Sequence, residues 1–188
     1  MKWLENIRKQ WGRRKLARKI NRKRNTAISN FHEARSVALI YDEKGEGFFI
    51  LVKQYVKYLK SEFGIRDVLA LSYIDDKKAI PHYHIHRLKY DYFHKGELNF
   101  WYEPNCDQVK NFVAKDFDIL INLERNPSLP LEFIQAESNA KLKVGYFQDG
   151  EEDLYDIMLD LPEQVTFDEY IKQINHYLTR INRIDERA

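Results

Sequence analysis

Cysteine is almost missing from this sequence: Cys106 is the single one among 188 residues. An internal disulfide is excluded, and with it a small disulfide-stapled secreted fold; a lone thiol suits a reducing compartment. Long apolar runs are missing too. Phe48–Val52, five residues, is among the longest, whereas a membrane-spanning helix needs ~20. The first residues hold no apolar core of a secretory signal, because charges interrupt the stretch where it would lie. A cytoplasmic location is the expectation. Glycine and proline, seven and five residues, are too few for a low-complexity or collagen-like chain. No Walker motif and no G-x-S-x-G elbow occurs.

Acid is the scarcest commodity at the N-terminus. Residues 1–30 hold one, Glu5, against eleven cations: Lys2, Arg8, Lys9, Arg13, Arg14, Lys15, Arg18, Lys19, Arg22, Lys23 and Arg24. That stretch carries +10 and the remainder −8, a segregation hidden by the overall +2. A basic arm on an acidic body reads as an anion-binding tail. Arginine slightly outnumbers lysine among these cations, and its planar fork suits bidentate phosphate contacts. Trp3 and Trp11 offer rings to stack on bases. RNA, with the ribosome or another ribonucleoprotein as its carrier, is the leading partner. The same residues also describe an interfacial helix on an anionic membrane, with Trp, Leu and Ile in the headgroup boundary.

The other 158 residues look like one globular domain. The chain is 44% hydrophobic and 32% charged, rich in aromatics at 14%, and long enough to bury about 70% of its unfolded surface. Strand and helix signals alternate along it. Helical spacing predicts a helix over roughly Trp3–Arg24, with Trp3, Leu4, Ile7 and Trp11 on one face; Leu16 and Ile20 continue on a shifted face after Gly12. Ser36–Tyr41, Asp67–Tyr73, Phe117–Leu123, Leu142–Phe147 and Tyr155–Leu161 read as strands, with a short edge strand near Leu88–Tyr92. Phe48, Val52, Tyr55, Val56, Leu59 and Phe63 mark a helix stopped by Gly64. Asn105 with Gln108 suggests a helix start, Ser128–Asn139 a further helix, and Thr166 with Glu169 a capping box for the last. This alternation demands right-handed crossovers and a mostly parallel, doubly wound sheet of about five or six strands, Rossmann-like or flavodoxin-like. The expected organisation is a basic helical arm and linker over residues 1–34 and an α/β domain over 35–188.

In such sheets ligands bind at the carboxyl ends of the strands. Asp42, Asp75, Glu124 and Asp160 stand there, with Glu43, Asp76 and Asp149 beside them. They form a candidate crevice for a nucleotide, a nucleotide sugar or Mg²⁺; acids that merely end strands and begin helices would read the same way. Gly45 and Gly47 occupy the place of a dinucleotide fingerprint, but a third glycine is missing and Glu43 and Glu46 would repel a phosphate, so a plain turn is expected. His82, His84 and His86 alternate on an extended segment and form a weak candidate for Zn²⁺ or Cu²⁺, against the reading of an exposed loop. Cys106 sits at a helix start, which lowers a thiol pKa, but it has no motif partner and reads as structural. No cofactor and no catalytic residue is assigned. Tyr90, Tyr92, Phe93, Phe100, Trp101 and Tyr102 are crowded enough to be either core or a protein-binding surface.

Taken together, the basic lead, SVALIYD, VKYLKSEFG, ALSYID, FDILINL, AKLKVGYF, YDIMLDL and INHYLTRIN resemble an uncharacterised bacterial family of Bacteroidetes type, a domain of unknown function. That resemblance covers nearly the whole chain and implies no activity. FDILINL followed by a helix and NAKLKVGYF is similar to part of the N-terminal half of lipopolysaccharide heptosyltransferases. Those enzymes join two Rossmann-like domains and hold the nucleotide sugar largely in the second. The likeness therefore implies a fold for this chain, not a transfer reaction.

Overall fold

The computed structural model describes residues 2–76, 81 and 90–181. Its centre is one six-stranded sheet in the order β3-β2-β1-β4-β5-β6, every pair parallel. The strands are β1 (Ser36–Asp42), β2 (Asp67–Ile74), β3 (Tyr90–His94), β4 (Ile119–Asn122), β5 (Leu142–Tyr146) and β6 (Ile157–Leu159). The helices are α1 (Lys2–Leu16), α2 (Glu46–Phe63), α3 (Asp107–Ala114), α4 (Leu129–Glu137) and α5 (Phe167–Arg180). This is the doubly wound α/β architecture read from the sequence, with the Rossmann strand order.

Period-two alternation sorts the two faces. Val37, Leu39 and Tyr41 of β1, Ile119 and Ile121 of β4, and Leu142 and Val144 of β5 pack under α2 and α5. α2 sends Val52, Tyr55, Val56 and Leu59 into that layer and stops at Gly64, whose φ of 66° is a left-handed cap. α5 opens with a reciprocal box: Thr166 accepts from the Glu169 amide and Glu169 accepts from the Thr166 amide. It buries Tyr170, Ile174 and Leu178, and the Tyr170 hydroxyl donates to the Asn122 carbonyl at 2.9 Å. Each of these large apolar side chains contributes roughly 1.5–3 kcal/mol by leaving water.

The opposite face carries two smaller clusters. Ala38, Ile40, Leu71, Phe93 and Leu120 meet Val109 and Phe112 of α3 and Leu131 and Ile134 of α4. Beyond them, over β5 and β6, Phe133 and Ala136 of α4 meet Tyr155, Leu154, Tyr102 and Leu16. Leu16 belongs to the arm. The basic N-terminal segment is therefore part of the cover of this face.

Three local expectations differ from what is found. The first helix ends at Leu16 rather than near Arg24; the chain then turns and runs along the body, with the Asn21 amide donating to the Ala136 carbonyl and the Ala27 amide to the Lys141 carbonyl. α3 is capped by Cys106, not Asn105, whose amide is drawn to the Glu97 carbonyl. β6 is only three residues long; Asp156 just before it is tied to Lys143 twice, its amide donating to the Lys143 carbonyl and its carboxylate accepting from the Lys143 amide.

Candidate functional site

The order of strands places its reversal between β1 and β4, where a doubly wound sheet opens a crevice at the carboxyl ends. Asp42 ends β1 and Glu124 follows β4. The Ser128 hydroxyl donates to Asp42 Oδ1 at 2.8 Å instead of capping α4. Glu124, 2% exposed, accepts from the amides of Arg125 and Asn126 and pairs with Lys44 Nζ at 2.8 Å. Asp75, at the end of β2, accepts from the Tyr73 hydroxyl and pairs with Lys95. Asp42, Asp75 and Glu124 thus lie at neighbouring strand ends. Asp160 does not join them: it is exposed after β6, three strands from β1, roughly 14 Å away at the usual strand spacing. The partners of Asp42, Asp75 and Glu124 lie within the protein. Among the described residues no group of three His, Cys, Asp or Glu is arranged to hold a metal ion. The turn before α2 is equally self-contained, since the Gly45 amide is taken by Glu43 Oε1 at 2.8 Å.

Burial raises the Asp42 carboxyl to about 7, helped by Glu124 and Asp75 and opposed by the Ser128 bond and Lys44. A carboxyl whose folded pKa lies above its unfolded value favours the fold while protonated, so stability falls as pH rises from about 4 through 7. Asp42→Asn keeps the acceptor for Ser128 without the charge. It is expected to stabilise the protein at pH 8 by on the order of 2 kcal/mol and to leave it unchanged at pH 4. Urea denaturation at the two pH values checks this, and equal effects at both would remove the buried-charge account.

The arm is the second candidate. α1 crosses α4 and the loop after β3 at Gly12, where an added Cβ would stand 2.5 Å from the Trp101 carbonyl oxygen and 2.8 Å from Leu129. Only glycine allows that approach. Around the crossing, arm cations meet body acids. Lys15 and Lys19 reach Glu103 at 2.5 and 2.9 Å, and Lys19 also reaches Glu137 at 3.3 Å. Burial alone would raise Glu103; these two ammonium groups and Asn99 hold it below its ordinary value. Arg22 meets Asp153 at 3.3 Å. Arg24 is nearly enclosed, paired with Asp156 and donating to the carbonyls of Ala140 and Lys141. Arg8 donates to the Phe100 carbonyl at 2.8 Å and lies over the rings of Phe100 and Tyr102, 4.8 and 4.7 Å from their centroids. Arg13 faces Glu132 and Glu151, two buried carboxyls that burial raises above their ordinary values.

What is left over lines the solvent side. Arg14, Arg18 and Lys23 have no acidic partner within 4 Å among the described residues, and Lys9 pairs only with exposed Glu5. Trp3, Leu4 and Trp11 are 72%, 56% and 52% exposed. Positions 3, 7, 11 and 14 follow one another at helical spacing, so the two tryptophans and Arg14 share a face of α1, the Arg14 guanidinium lying 5.6 Å from the Trp11 ring centroid; Arg18 follows in the turn beyond Leu16. Trp11 also touches Trp101, at 5.8 Å between centroids, and Phe100 beside it is 55% exposed.

The family comparison matches residues 8–181 to DUF6913, a family of unknown function. The chain belongs to this family. The DUF6913 match begins at Arg8, so the arm's crossing at Gly12 and the whole sheet lie within it. No curated protein matches the chain, and no solved structure does.

Within the DUF6913 span, sequence reasoning missed the receptor for the arm. Tyr102, with φ of 64°, turns the loop Asn99–Glu103 so that its ring faces Leu16 and its neighbour Glu103 faces the lysines. Asn99 Oδ1 accepts from the amides of Trp101 and Glu103 and braces the turn. The crowding of aromatics was the only signal. It resolves in both directions: Tyr92 and Phe93 are core, whereas Phe100 and Trp101 lie beside α1. Cys106 is buried, and burial raises its thiol pKa, outweighing the help a helix start gives a thiolate. His82, His84 and His86 lie outside the described residues. No helix among those described is long and apolar enough to cross a membrane.

Proposed function

We propose that this protein is a non-enzymatic, cytoplasmic accessory protein that docks on RNA or a ribonucleoprotein, the ribosome foremost, through the solvent face of α1. The observation that carries the reading is the division of the arm's cations. Lys15, Lys19, Arg22 and Arg24 are spent on body acids, while Arg14, which lies over the Trp11 ring, and Arg18, in the turn after α1, meet no acid among the described residues and stand on the solvent side with Trp3 and Trp11. Free guanidinium forks bind phosphates by releasing counterions, and the rings stack on unpaired bases. The strand-end crevice supports a nucleotide-binding enzyme less well, because Asp42, Glu124 and the α2 turn already have partners within the protein.

The test is a titration of fluorescent single-stranded RNA at several salt concentrations. Arg14→Ala/Arg18→Ala/Lys23→Ala is expected to weaken binding and to reduce the slope of log K against log salt by roughly 2, at about 0.7 per phosphate contact. Trp3→Ala/Trp11→Ala is expected to weaken it by about 1–3 kcal/mol per lost stack with the slope unchanged. Absence of binding at low salt by the unaltered protein sinks the reading.

One observation favours a second reading. Trp3, Leu4 and Trp11 expose an apolar ridge flanked by cations, which fits the headgroup boundary of an anionic membrane. Flotation with anionic but not neutral liposomes, lost in the tryptophan variant, would replace RNA by lipid.

A further inference from the structure

The parallel sheet has a second edge, and its chemistry is unlike that of the crevice. Register places the residues that precede each strand side by side along the amino ends. Arg66 precedes β2, Arg35 precedes β1, Asp118 precedes β4 and Lys141 precedes β5. Arg66 faces Arg35 and Asp118 faces Lys141, each pair about 4.8 Å apart at the spacing of neighbouring strands, while Asp118 stands opposite Ser36, one residue on from Arg35. A cleft of about 900 Å³ runs along this row, lined by Arg35, Arg66, Lys141 and His32 and by two acids, Asp118 and the exposed Glu33. A smaller one of about 250 Å³, also lined by Lys141, is bounded by Lys23, Arg24 and one acid, Asp116.

The charges in the cleft are not equivalent. Asp118 is fully engaged: Oδ2 accepts from the amides of Arg35 and Ser36 and from the Ser36 hydroxyl, and Oδ1 accepts from Lys141 at 2.8 Å. Burial opposes its charge, but these donors hold its pKa below the ordinary value. Asp118 therefore braces the floor. The guanidinium groups of Arg35 and Arg66, by contrast, are exposed and donate to no described residue. The C-terminal end of α2 lies at the rim, and its dipole favours a cation there by roughly 0.3–1 kcal/mol. That accounts for one of them at most, and a fork that served the helix carbonyls would be bonded to them.

We propose that this cleft is a second phosphate-binding surface, taking the sugar-phosphate backbone of the same single-stranded RNA that α1 engages. Arg35 and Arg66 supply two bidentate forks, and Lys23 bridges from the arm to the cleft along Lys141. The inference rests on the RNA reading above, and it adds a path: one strand passes from the face of α1 to the amino ends of the sheet. A strand too short to reach from α1 to the cleft engages only one of the two surfaces.

Arg35→Gln/Arg66→Gln tests it with the full chain, short and long single-stranded RNAs and a salt series. Both side chains are exposed, so the variant is expected to melt as the unaltered protein does. Binding of the long RNA is expected to weaken about tenfold with the salt slope reduced by roughly 1.4. Arg35→Lys/Arg66→Lys is expected to restore most of that slope, since the charge returns. If the unaltered protein binds long RNA and the glutamine variant binds it equally with the same slope, the cleft is overturned while the α1 reading stands. If the unaltered protein binds no RNA at low salt, both fall together. A variant that weakens short and long RNA alike, with no dependence on length, overturns the continuous path.

Discussion

Gly12→Leu is expected to lift α1 off the body. The added Cβ alone would stand 2.5 Å from the Trp101 carbonyl oxygen, a backbone atom that cannot rotate away, and 2.8 Å from Leu129. The rest of a leucine side chain has nowhere to go. The same change makes the isolated helix better, because glycine costs a helix interior about 1 kcal/mol relative to a good helix former. Helix formation and docking are thereby separated. Undocking exposes Leu16, Tyr102 and Leu129, three members of the cluster over β5 and β6, so a stability loss of about 3 kcal/mol is expected. Trypsin should then cut among Lys15, Arg18 and Lys19, and urea denaturation should show the loss. Lys15 and Lys19 would be freed from Glu103. RNA binding by this variant should steepen in salt dependence by roughly 1.4, two phosphate contacts' worth. Weaker RNA binding with a shallower slope would mean that the docked geometry itself is what RNA reads.

That experiment addresses the feature least legible in the sequence. Composition exposed the segregation of charge between residues 1–30 and the rest, but it is silent on pairing. Nothing local marks Glu103, Glu137, Asp153 and Asp156 as the acids that meet the arm, because they lie about 80 to 130 residues away along the chain. Gly12 read as an interruption of an amphipathic stripe; it is a crossing point. The two apolar faces of the arm were visible as a shift between Trp11 and Leu16, yet which one docks depends on the loop at Tyr102, whose left-handed backbone has no glycine to announce it.

The sheet was legible because its physics is local. Strands buried on both faces read as nearly continuous apolar runs, as in Ser36–Tyr41, and the capping box of Thr166 and Glu169 fixes the start of α5. Gly64 announced the end of α2 for the same reason. The carboxyl-end acids were found by topology alone: strand order brings Asp42, Asp75 and Glu124 to adjacent ends and leaves Asp160 at the edge. Their partners, Ser128 and Lys44, were not foreseen. Lys143 stands in β5 between two apolar residues, Leu142 and Val144. It is 2% exposed, donates to the Gln135 and Ala136 carbonyls in the last turn of α4, and is lowered to about 7 by burial. A lysine that caps a neighbouring helix leaves no mark on the pattern of its own strand.

Gly145, two residues further along β5 on that same face, should be the most sensitive position in the sheet. Its partner in β6 is Met158, but the constraint comes from Tyr155, whose ring atoms Cε1, Cδ1 and Cζ crowd the glycine. A Cβ there would stand 2.8 Å from Cδ1 and 3.0 Å from Cζ of that ring. The ring cannot withdraw easily, since Tyr155 is 8% exposed, packs with Phe133 and Leu154, and accepts from Asn122 Nδ2 at 2.9 Å. Gly145→Ala is therefore expected to destabilise the protein by about 3 kcal/mol, combining overpacking with loss of the buried Asn122 bond. Tyr155→Phe removes the bond alone and is expected to cost about 1 kcal/mol. Tyr155→Leu makes room, so adding Gly145→Ala to it should cost far less than Gly145→Ala does by itself, a coupling that a double-mutant cycle in urea reads directly. Additive effects of the two changes would show that the ring does not set the requirement for glycine, and the packing assigned to this end of the sheet would have to be redrawn.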